Sequence, residues 1–289
     1  MYWKVEPTNC QICSNDSYVS LFHNDSHGFG LHTVICSTCG LVYLNPRPTA
    51  AEYQRLYTGI YEKLFYSAWN PKVSDLVALK RVKRYSKYLG HDVFEVGPGD
   101  GAFLASIEKT CSVSGIDPSH LSVEACRKRG LNVTHGYFSG SSQQFDSIAA
   151  FHVLEHALEP IKLLNAFRSA LKPGGFLLLE VPNILGEWKN LGMIHIAHPC
   201  QYSPFSLKNA LSMSGFSPVA IEAIEEHPFE SSIRVIAQPG PPSPFIAAPN
   251  GLVDQTQRLF NSRLVHWKKD LAKFRIKRSV LELKRRLAF

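Results

Sequence analysis

The sequence predicts an α/β protein whose core is a seven-stranded parallel sheet. Between residues 92 and 238, short apolar runs alternate with stretches of helical periodicity, the pattern of strands joined by crossover helices. A glycine-rich turn follows the first apolar run. The chain has 289 residues, and a single hydrophobic core stops growing near about 250–300 residues. We therefore expect one core with small attachments.

Seven strands and four helices are predicted in this core. The strands cover residues 92–96, 112–116, 132–134, 147–151, 176–182, 218–225 and 232–238, and the helices cover 102–109, 119–129, 158–171 and 206–214. Upstream, apolar residues recur at three- and four-residue steps, which predicts an amphipathic connector helix over residues 73–89. Its apolar positions are Leu76, Leu79, Val82, Tyr85 and Leu89.

Composition divides the chain into five regions. These are a cysteine-paired module (1–50), a helical connector or lid (51–90), the α/β core (91–238), a proline-rich linker (239–252) and a basic amphipathic helix (253–289). No apolar run approaches the roughly 18 residues that span a bilayer, and no secretory signal is recognisable at the start. We therefore expect a cytoplasmic protein whose cysteines are thiols or metal ligands.

The glycine-rich turn contains Gly97, Gly99 and Gly101, between an apolar strand and a helix start. This spacing lets a ligand approach the backbone, and it fits a dinucleotide as well as S-adenosylmethionine (SAM). Two acids separate the two ligands. Glu95 suits a cationic amine and would repel a pyrophosphate, and Asp117, which closes the second strand, suits the hydroxyls of a ribose.

Residues 92–238 resemble class I SAM-dependent methyltransferases, which have a Rossmann-like fold. The motifs that carry the resemblance are Glu95-x-Gly97-x-Gly99-x-Gly101, Asp117, the segment 145–156 that ends in His152-Val153-Leu154-Glu155-His156, and the segment 171–175. The resemblance implies that Glu95 and the glycines hold the methionine part of SAM and that Asp117 holds the ribose. It also implies that Tyr137 and Phe138 lie near the adenine. We assign Phe151, at the end of the fourth strand, to the same site.

Two cysteine pairs, Cys10/Cys13 and Cys36/Cys39, are separated by 22 residues, a spacing typical of a tetrahedral four-thiolate zinc site. Gly40 gives the second pair the backbone freedom of a tight knuckle. Because four thiolates leave no open position, we expect structural zinc. The histidines between the pairs are alternative ligands or surface residues; they are His23, His27 and His32. Residues 41–48 and the tyrosines beyond are a hypothetical lid over the cleft.

A zinc-binding module before such a methyltransferase resembles the arrangement of sugar C-methyltransferases that act on nucleotide-linked deoxysugars. The resemblance is partial, because those enzymes continue into a further C-terminal α/β domain. This chain continues instead into a linker and a helix. The resemblance therefore implies a sugar-like acceptor without fixing the acceptor atom.

Acid–base candidates follow two strands. His152, Glu155 and His156 follow the fourth strand, and His198 follows the fifth, at the sheet edge where ligands bind. A histidine of near-neutral pKa suits proton abstraction. Alternatively, Glu155 and His156 only brace the cofactor turn, and His198 is an ordinary loop histidine. Cys200 lacks the context of a cytosine-methylating nucleophile, so we interpret it as incidental.

The net charge of +7 belongs to the C-terminal segment. Residues 253–289 carry eleven Lys and Arg against three Asp and Glu, so the preceding body has a net charge of −1. Phe260, Leu264, Trp267, Leu271 and Phe274 form an apolar seam on this basic helix. Three uses compete, namely self-association as a homodimer, contact with an anionic membrane surface, and docking on the protein's own core, which we favour. The neutral body disfavours a nucleic-acid partner.

These features favour a SAM-dependent methyltransferase that acts on a small molecule, a sugar, nucleotide sugar or glycan intermediate, with a histidine as general base. Two alternatives stay open. One is an RNA methyltransferase, since zinc ribbons also precede some ribosomal RNA methyltransferases. The other is a non-catalytic SAM-binding or assembly protein.

Overall fold

The structure, a computed structural model, describes residues 3–23, 30–57, 71–188, 193–225 and 231–264. The strands in these residues are β1 (Val5–Glu6), β2 (Tyr18–Phe22), β3 (Thr33–Cys36), β4 (Val42–Leu44), β5 (Arg47–Pro48), β6 (Asp92–Val96), β7 (Ser112–Asp117), β8 (Val133–His135), β9 (Phe145–Phe151), β10 (Leu171–Pro182), β11 (Cys200–Gln201), β12 (Phe216–Glu225) and β13 (Ser231–Pro239). The α-helices are Ala50–Arg55, Pro71–Tyr85, Ala102–Ile107, His120–Lys128, Pro160–Ala170 and Pro204–Met213. Residues 252–264 are also helical.

A seven-stranded sheet of order β12-β13-β10-β9-β6-β7-β8 forms the core, which confirms the predicted fold class. Five strands, β8, β7, β6, β9 and β10, are parallel, whereas β13 is antiparallel to both β10 and β12. The prediction of an all-parallel sheet was therefore wrong at β13. Only residues 226–230 separate β12 from β13, too few for a crossover of about a dozen residues.

The strand order places the carboxyl ends of β6, β7 and β9 side by side. Val96 of β6 pairs with Ile116 of β7 and with Ala150 of β9. After β6 the chain builds the sheet outwards through β7 and β8 and then returns to the other side of β6. This reversal is the point at which open α/β sheets bind ligands.

Helix starts and ends follow local side-chain signals. Ser119 accepts the N–H of Ser122 and caps the helix His120–Lys128. Ser203 and Ser206 form a capping box at the start of Pro204–Met213. Gly215, with φ +72°, follows the end of that helix in the left-handed conformation that favours glycine.

The connector helix Pro71–Tyr85 buries only part of the face that the apolar spacing predicted. Tyr85 is buried, but Leu76 and Leu79 are 57% and 60% exposed, so their assignment to the inner face was wrong. The inner face carries polar groups instead. Ser74 donates to Asp100 Oδ1 at 2.7 Å, which ties the helix to the glycine turn.

The cysteine-containing segment is built into the core. It forms a sheet of order β11-β4-β3-β2, in which Cys200 of β11, from the loop after β10, pairs with Tyr43 of β4. Its buried cysteines and Tyr43 share one hydrophobic cluster with Leu154 and Tyr202. The sequence did not predict this sheet, because a two-residue strand such as β11 has no periodicity of its own.

The C-terminal segment packs on the same sheet. Asn209 exchanges two hydrogen bonds with the backbone of Ile246, so the proline-rich stretch is attached to the core. Phe260 is fully buried beside Phe22 and Ile184. This favours internal docking for residues 252–264. The predicted seam positions Trp267, Leu271 and Phe274 lie outside the described residues. No helix in the described ranges is long and apolar enough to cross a membrane.

Candidate functional site

The turn after β6 holds three glycines in left-handed backbone. The φ angles of Gly97, Gly99 and Gly101 are 72°, 59° and 76°. A Cβ at Gly97 would lie 2.7 Å from the Val153 side chain, and one at Gly101 would lie 2.5 Å from the Leu131 side chain. Backbone conformation and close packing therefore both require glycine, and the turn forms a tight cradle at the carboxyl ends of β6 and β7.

Glu95, the penultimate residue of strand β6 before this cradle, is 2% exposed. Its Oε2 atom has no hydrogen-bond partner among the described residues. Burial raises the pKa of Glu95 to about 8; the charge of Arg81 opposes the shift, and Asp117 adds to it. Because a buried carboxylate without donors is costly, a ligand that brings a cationic amine would satisfy it. The site therefore fits the amino group of SAM.

Asp117 ends β7 next to the cradle and is bound by backbone groups. Its Oδ1 accepts the N–H of Ser119 at 2.8 Å, and its Oδ2 accepts the N–H of Gly99 at 3.2 Å. Burial raises the pKa of Asp117 to about 6, and these two hydrogen bonds oppose the shift. Each oxygen keeps a further lone pair, so the carboxylate can also accept the hydroxyls of a ribose.

The predicted aromatic residues lie on different sides of the site. The Phe138 ring packs in the core against Phe94 and Phe167, with centroids at 5.4 and 5.6 Å. Tyr137 is 60% exposed. Phe151 stacks on Tyr85 at 5.6 Å and lies under the Arg81 guanidinium at 4.1 Å. The cofactor roles of Phe138 and Phe151 stay predictions.

His152 and Glu155 come together directly after β9. His152 has a left-handed backbone, with φ 59°, and its N–H donates to the Glu180 carbonyl at 2.8 Å. This unusual conformation for a residue with a side chain turns the chain at the sheet edge. The His152 Nδ1 atom lies 3.3 Å from Glu155 Oε1, and Glu155 is 1% exposed.

His156 and His198 lie beside this pair, although the two histidines are 42 positions apart in the chain. His156 Nδ1 lies 2.7 Å from the Ala197 carbonyl oxygen and 2.8 Å from the Tyr57 hydroxyl. The two imidazole rings meet edge to face at 4.7 Å. Burial lowers the pKa of His156 and lowers that of His198 well below the usual value, with His195 adding to the second shift. Both rings are therefore neutral at pH 7.

Tyr57 carries part of the predicted lid. Besides His156, its ring contacts Tyr137 edge to face at 6.5 Å, so Tyr57 lies between the segment of His156 and that of Tyr137. Tyr53 is buried, whereas Tyr61 and Tyr66 lie outside the described residues.

A buried ionic cluster at the same edge was not predicted. Glu180 of β10 accepts from Arg81 Nε at 2.8 Å and from the Tyr85 hydroxyl at 2.9 Å, and Arg234 Nε lies 3.4 Å away. Glu180 is in register with Phe151, which places it at the carboxyl end of the sheet. The sequence signal that could have indicated this ionic cluster was a charged residue, Glu180, inside an apolar strand.

The four cysteines of the two pairs meet in one cluster. Their sulfur atoms lie within 4.8 Å of one another, with 3.3 Å between Cys10 and Cys39 and 3.5 Å between Cys13 and Cys36. Gly40 has φ +71°, as expected for a knuckle, and Ser14 takes the equivalent place after Cys13 with φ 59°. This donor set and spacing fit a tetrahedral zinc ion.

The histidines between the pairs do not join the sulfur cluster. His23 and His32 stack on each other at 4.2 Å, and both hydrogen-bond Ser20. His27 lies outside the described residues. The described part of the chain thus offers four thiolates for the metal.

The sheet order, the glycine cradle and the two acids define a Rossmann-like, cofactor-binding α/β protein. A family model described as a methyltransferase domain matches residues 61–221, more than half of the chain, and the chain therefore belongs to this methyltransferase family. This agrees with the predicted class I fold.

Two named relatives match part of the chain at 26% identity. A ubiquinone biosynthesis O-methyltransferase from Dinoroseobacter shibae is 26% identical over 112 residues, 35% of this chain and 45% of that protein. The protein of the same name from Coxiella burnetii is 26% identical over 132 residues, 40% of this chain and 56% of that protein. The chain thus spans about half the length of these relatives.

Among solved structures, a SAM-dependent methyltransferase from Archaeoglobus fulgidus aligns with a TM-score of 0.51 and 21% identity. The alignment covers 63% of this chain and 99% of that chain. At this level of identity, the likeness shows a shared fold.

Proposed function

We propose that this protein transfers the methyl group of SAM to a small-molecule acceptor, a sugar, nucleotide sugar or glycan intermediate. The observation that carries the proposal is the pair of buried acids around the glycine cradle. Glu95 offers a carboxylate oxygen without a partner among the described residues, and Asp117 closes the neighbouring strand. Glu95 would accept the amine of SAM, and Asp117 its ribose hydroxyls.

His152 is the residue that we assign as general base. When bound, SAM supplies a methyl group on a positively charged sulfur. His152 would take the proton of the acceptor as the methyl group passes from SAM to the acceptor, and the products would be S-adenosylhomocysteine and the methylated acceptor. Glu155, 3.3 Å from His152 Nδ1, would stabilise the imidazolium that forms. His156 and His198 suit this task less, because burial disfavours their charged forms.

The cysteine cluster would hold a structural zinc ion. Four thiolates leave no coordination position for a substrate, and the sheet that carries them pairs with β11 beside His198. The metal would therefore fix the loop that carries one wall of the acceptor pocket. A module of this kind before a methyltransferase domain, together with the pocket's histidines and carboxylate, supports a polar, sugar-like acceptor.

The test is a transfer assay with isotope-labelled SAM and separate panels of nucleotide sugars, glycan intermediates and RNA. Labelled product from a sugar-containing panel is expected. His152→Gln should lower kcat by about 10²- to 10⁴-fold and leave the SAM affinity unchanged. His91→Gln is the matched control, since His91 is exposed and precedes β6, at the end of the strands opposite to the candidate site. Transfer to RNA alone, or to no panel, would contradict the proposal.

A further inference from the structure

Three side chains beside His152 form a cluster of a different chemical type from the cysteines. The potential ligand atoms of Glu155, His156 and His198 lie within 4.8 Å of one another. Atoms that share one zinc ion at about 2.1 Å lie up to about 4.2 Å apart. Small side-chain rotations would therefore bring all three onto one ion.

Both histidines are anchored in the way that metal ligands are. The Nδ1–H of His156 donates to the Ala197 carbonyl at 2.7 Å, and the Nδ1–H of His198 donates to the Met193 carbonyl at 2.9 Å. In a neutral imidazole this fixes Nε2 as the atom with the lone pair. A backbone carbonyl on the far ring nitrogen is the usual support of a metal-binding histidine.

Glu155 is the negatively charged member of this cluster. It is 1% exposed, and neither of its carboxylate oxygens makes a hydrogen bond of acceptable geometry within the described ranges. His152 Nδ1, at 3.3 Å from Oε1, faces only one of the two oxygens. A buried carboxylate is costly unless it is paired or binds a metal, and a cation between Glu155 and the two imidazoles would meet this need.

We propose that Glu155, His156 and His198 bind a divalent transition-metal ion at a second metal site, separate from the four cysteines. Two imidazoles and one carboxylate suit Zn²⁺, Mn²⁺, Fe²⁺ or Co²⁺. Three protein ligands leave coordination positions open, so an oxygen of the acceptor can bind the ion next to His152. This last role rests on the proposed function, whereas the metal site itself does not.

The first test is metal binding to the full-length protein with zinc on its thiolates. Mn²⁺, which thiolates bind poorly, is titrated and followed by electron paramagnetic resonance. One Mn²⁺ per chain is expected. Glu155→Gln and His198→Gln should each weaken its binding by at least about tenfold, whereas His91→Gln should not. SAM affinity, measured by calorimetry on each variant, reports whether the variant is folded.

The second test needs no variant. Crystals of the wild-type protein grown with Mn²⁺ should show an anomalous-scattering peak bounded by the three side chains. Three results would overturn the site: an anomalous peak at another place, no bound Mn²⁺ in the zinc-loaded protein, or Mn²⁺ affinities of the two variants equal to that of the wild type. Neither test uses an acceptor or methyl transfer, so a failure of the metal site and a failure of the proposed function are distinguishable.

Discussion

The Arg81 guanidinium binds the Glu180 carboxylate inside the protein, with Nε at 2.8 Å and Nη2 at 2.7 Å from the same oxygen. This pair joins the connector helix to β10 at the edge of the sheet that holds the cofactor cradle. Burial alone would raise the pKa of Glu180, but the charges of Arg81 and Arg234 hold it below its usual value. The cluster therefore stabilises the fold with the carboxylate ionised.

Arg81→Met should destabilise the protein by about 3–5 kcal/mol, because it leaves a buried carboxylate with one cationic partner fewer. Denaturant unfolding at pH 7 measures this. Lys83→Met, on the exposed face of the same helix, should change the free energy of unfolding by less than about 0.5 kcal/mol. Equal effects of the two substitutions would show that the ion pair does not support the fold.

Glu95→Gln should weaken SAM binding by about 10- to 100-fold. A hydrogen bond to a charged group contributes about 1.5–3 kcal/mol, and the Gln amide oxygen can accept from the amine but lacks the negative charge of the carboxylate. Calorimetry at pH 8.5 measures the affinity. Glu108→Gln, at the exposed end of the helix after the cradle, is the control and should bind SAM as the wild type does.

The raised pKa of Glu95 predicts opposite pH trends for stability and for binding. In the ligand-free protein the pKa is about 8, against an ordinary value of 4.5. The stability that this carboxyl contributes is therefore complete below pH 4.5 and is lost as the pH rises through 8. SAM affinity should instead rise up to about pH 8, because the amine needs the ionised carboxylate. Thermal melts and calorimetry between pH 6 and 9 should show both trends in the wild type, and both trends should be weaker in Glu95→Gln.

Asp117→Asn should weaken SAM binding by about tenfold or more, because one acceptor oxygen for the ribose is replaced by an amide donor. Asp92→Asn removes the same charge at the opposite end of the neighbouring strand β6 and should leave the affinity unchanged. The comparison uses calorimetry with SAM and with S-adenosylhomocysteine. A similar loss in both variants would point to a general charge effect in place of a contact.

The parts of the protein that sequence reasoning predicted well are those with local signals. The seven strands of the core were each identified close to their observed place, because each is a short apolar run followed by a turn or a helix cap such as Ser119. The positions of Glu95 and Asp117 near the ends of adjacent strands could be predicted, because both acids stand at fixed distances from the glycines in the sequence. Their burial and the resulting pKa shifts depend on Arg81 and the rest of the fold.

The parts that were missed depend on contacts between distant segments. Leu76 and Leu79 gave the connector helix an apolar pattern, yet the helix turns Ser74 and Arg81 inward because Asp100 and Glu180 offer them partners. No local pattern announces such a partner. In the same way, nothing near Cys200 indicates that its two-residue strand completes the sheet of the cysteine module.

A metal ion in the cysteine cluster should stabilise more than the N-terminal segment, because β11 belongs to the same sheet. Cys39→Ser should abolish zinc binding. It should also lower the free energy of unfolding of the whole protein by at least about 3 kcal/mol, which is a fraction of the roughly 10–16 kcal/mol that zinc contributes to isolated zinc fingers. The effect should extend beyond the N-terminal segment, because Cys10, Cys36 and Cys39 share one hydrophobic cluster with the sheet core. Cys111→Ser, outside the sulfur cluster, should keep zinc and stability. Metal analysis measures the zinc content of each variant, and hydrogen exchange measures which segments lose protection. If exchange accelerates in β2–β4 but not in the loop before β11, the cysteine-containing segment unfolds independently of the core, which would contradict the prediction.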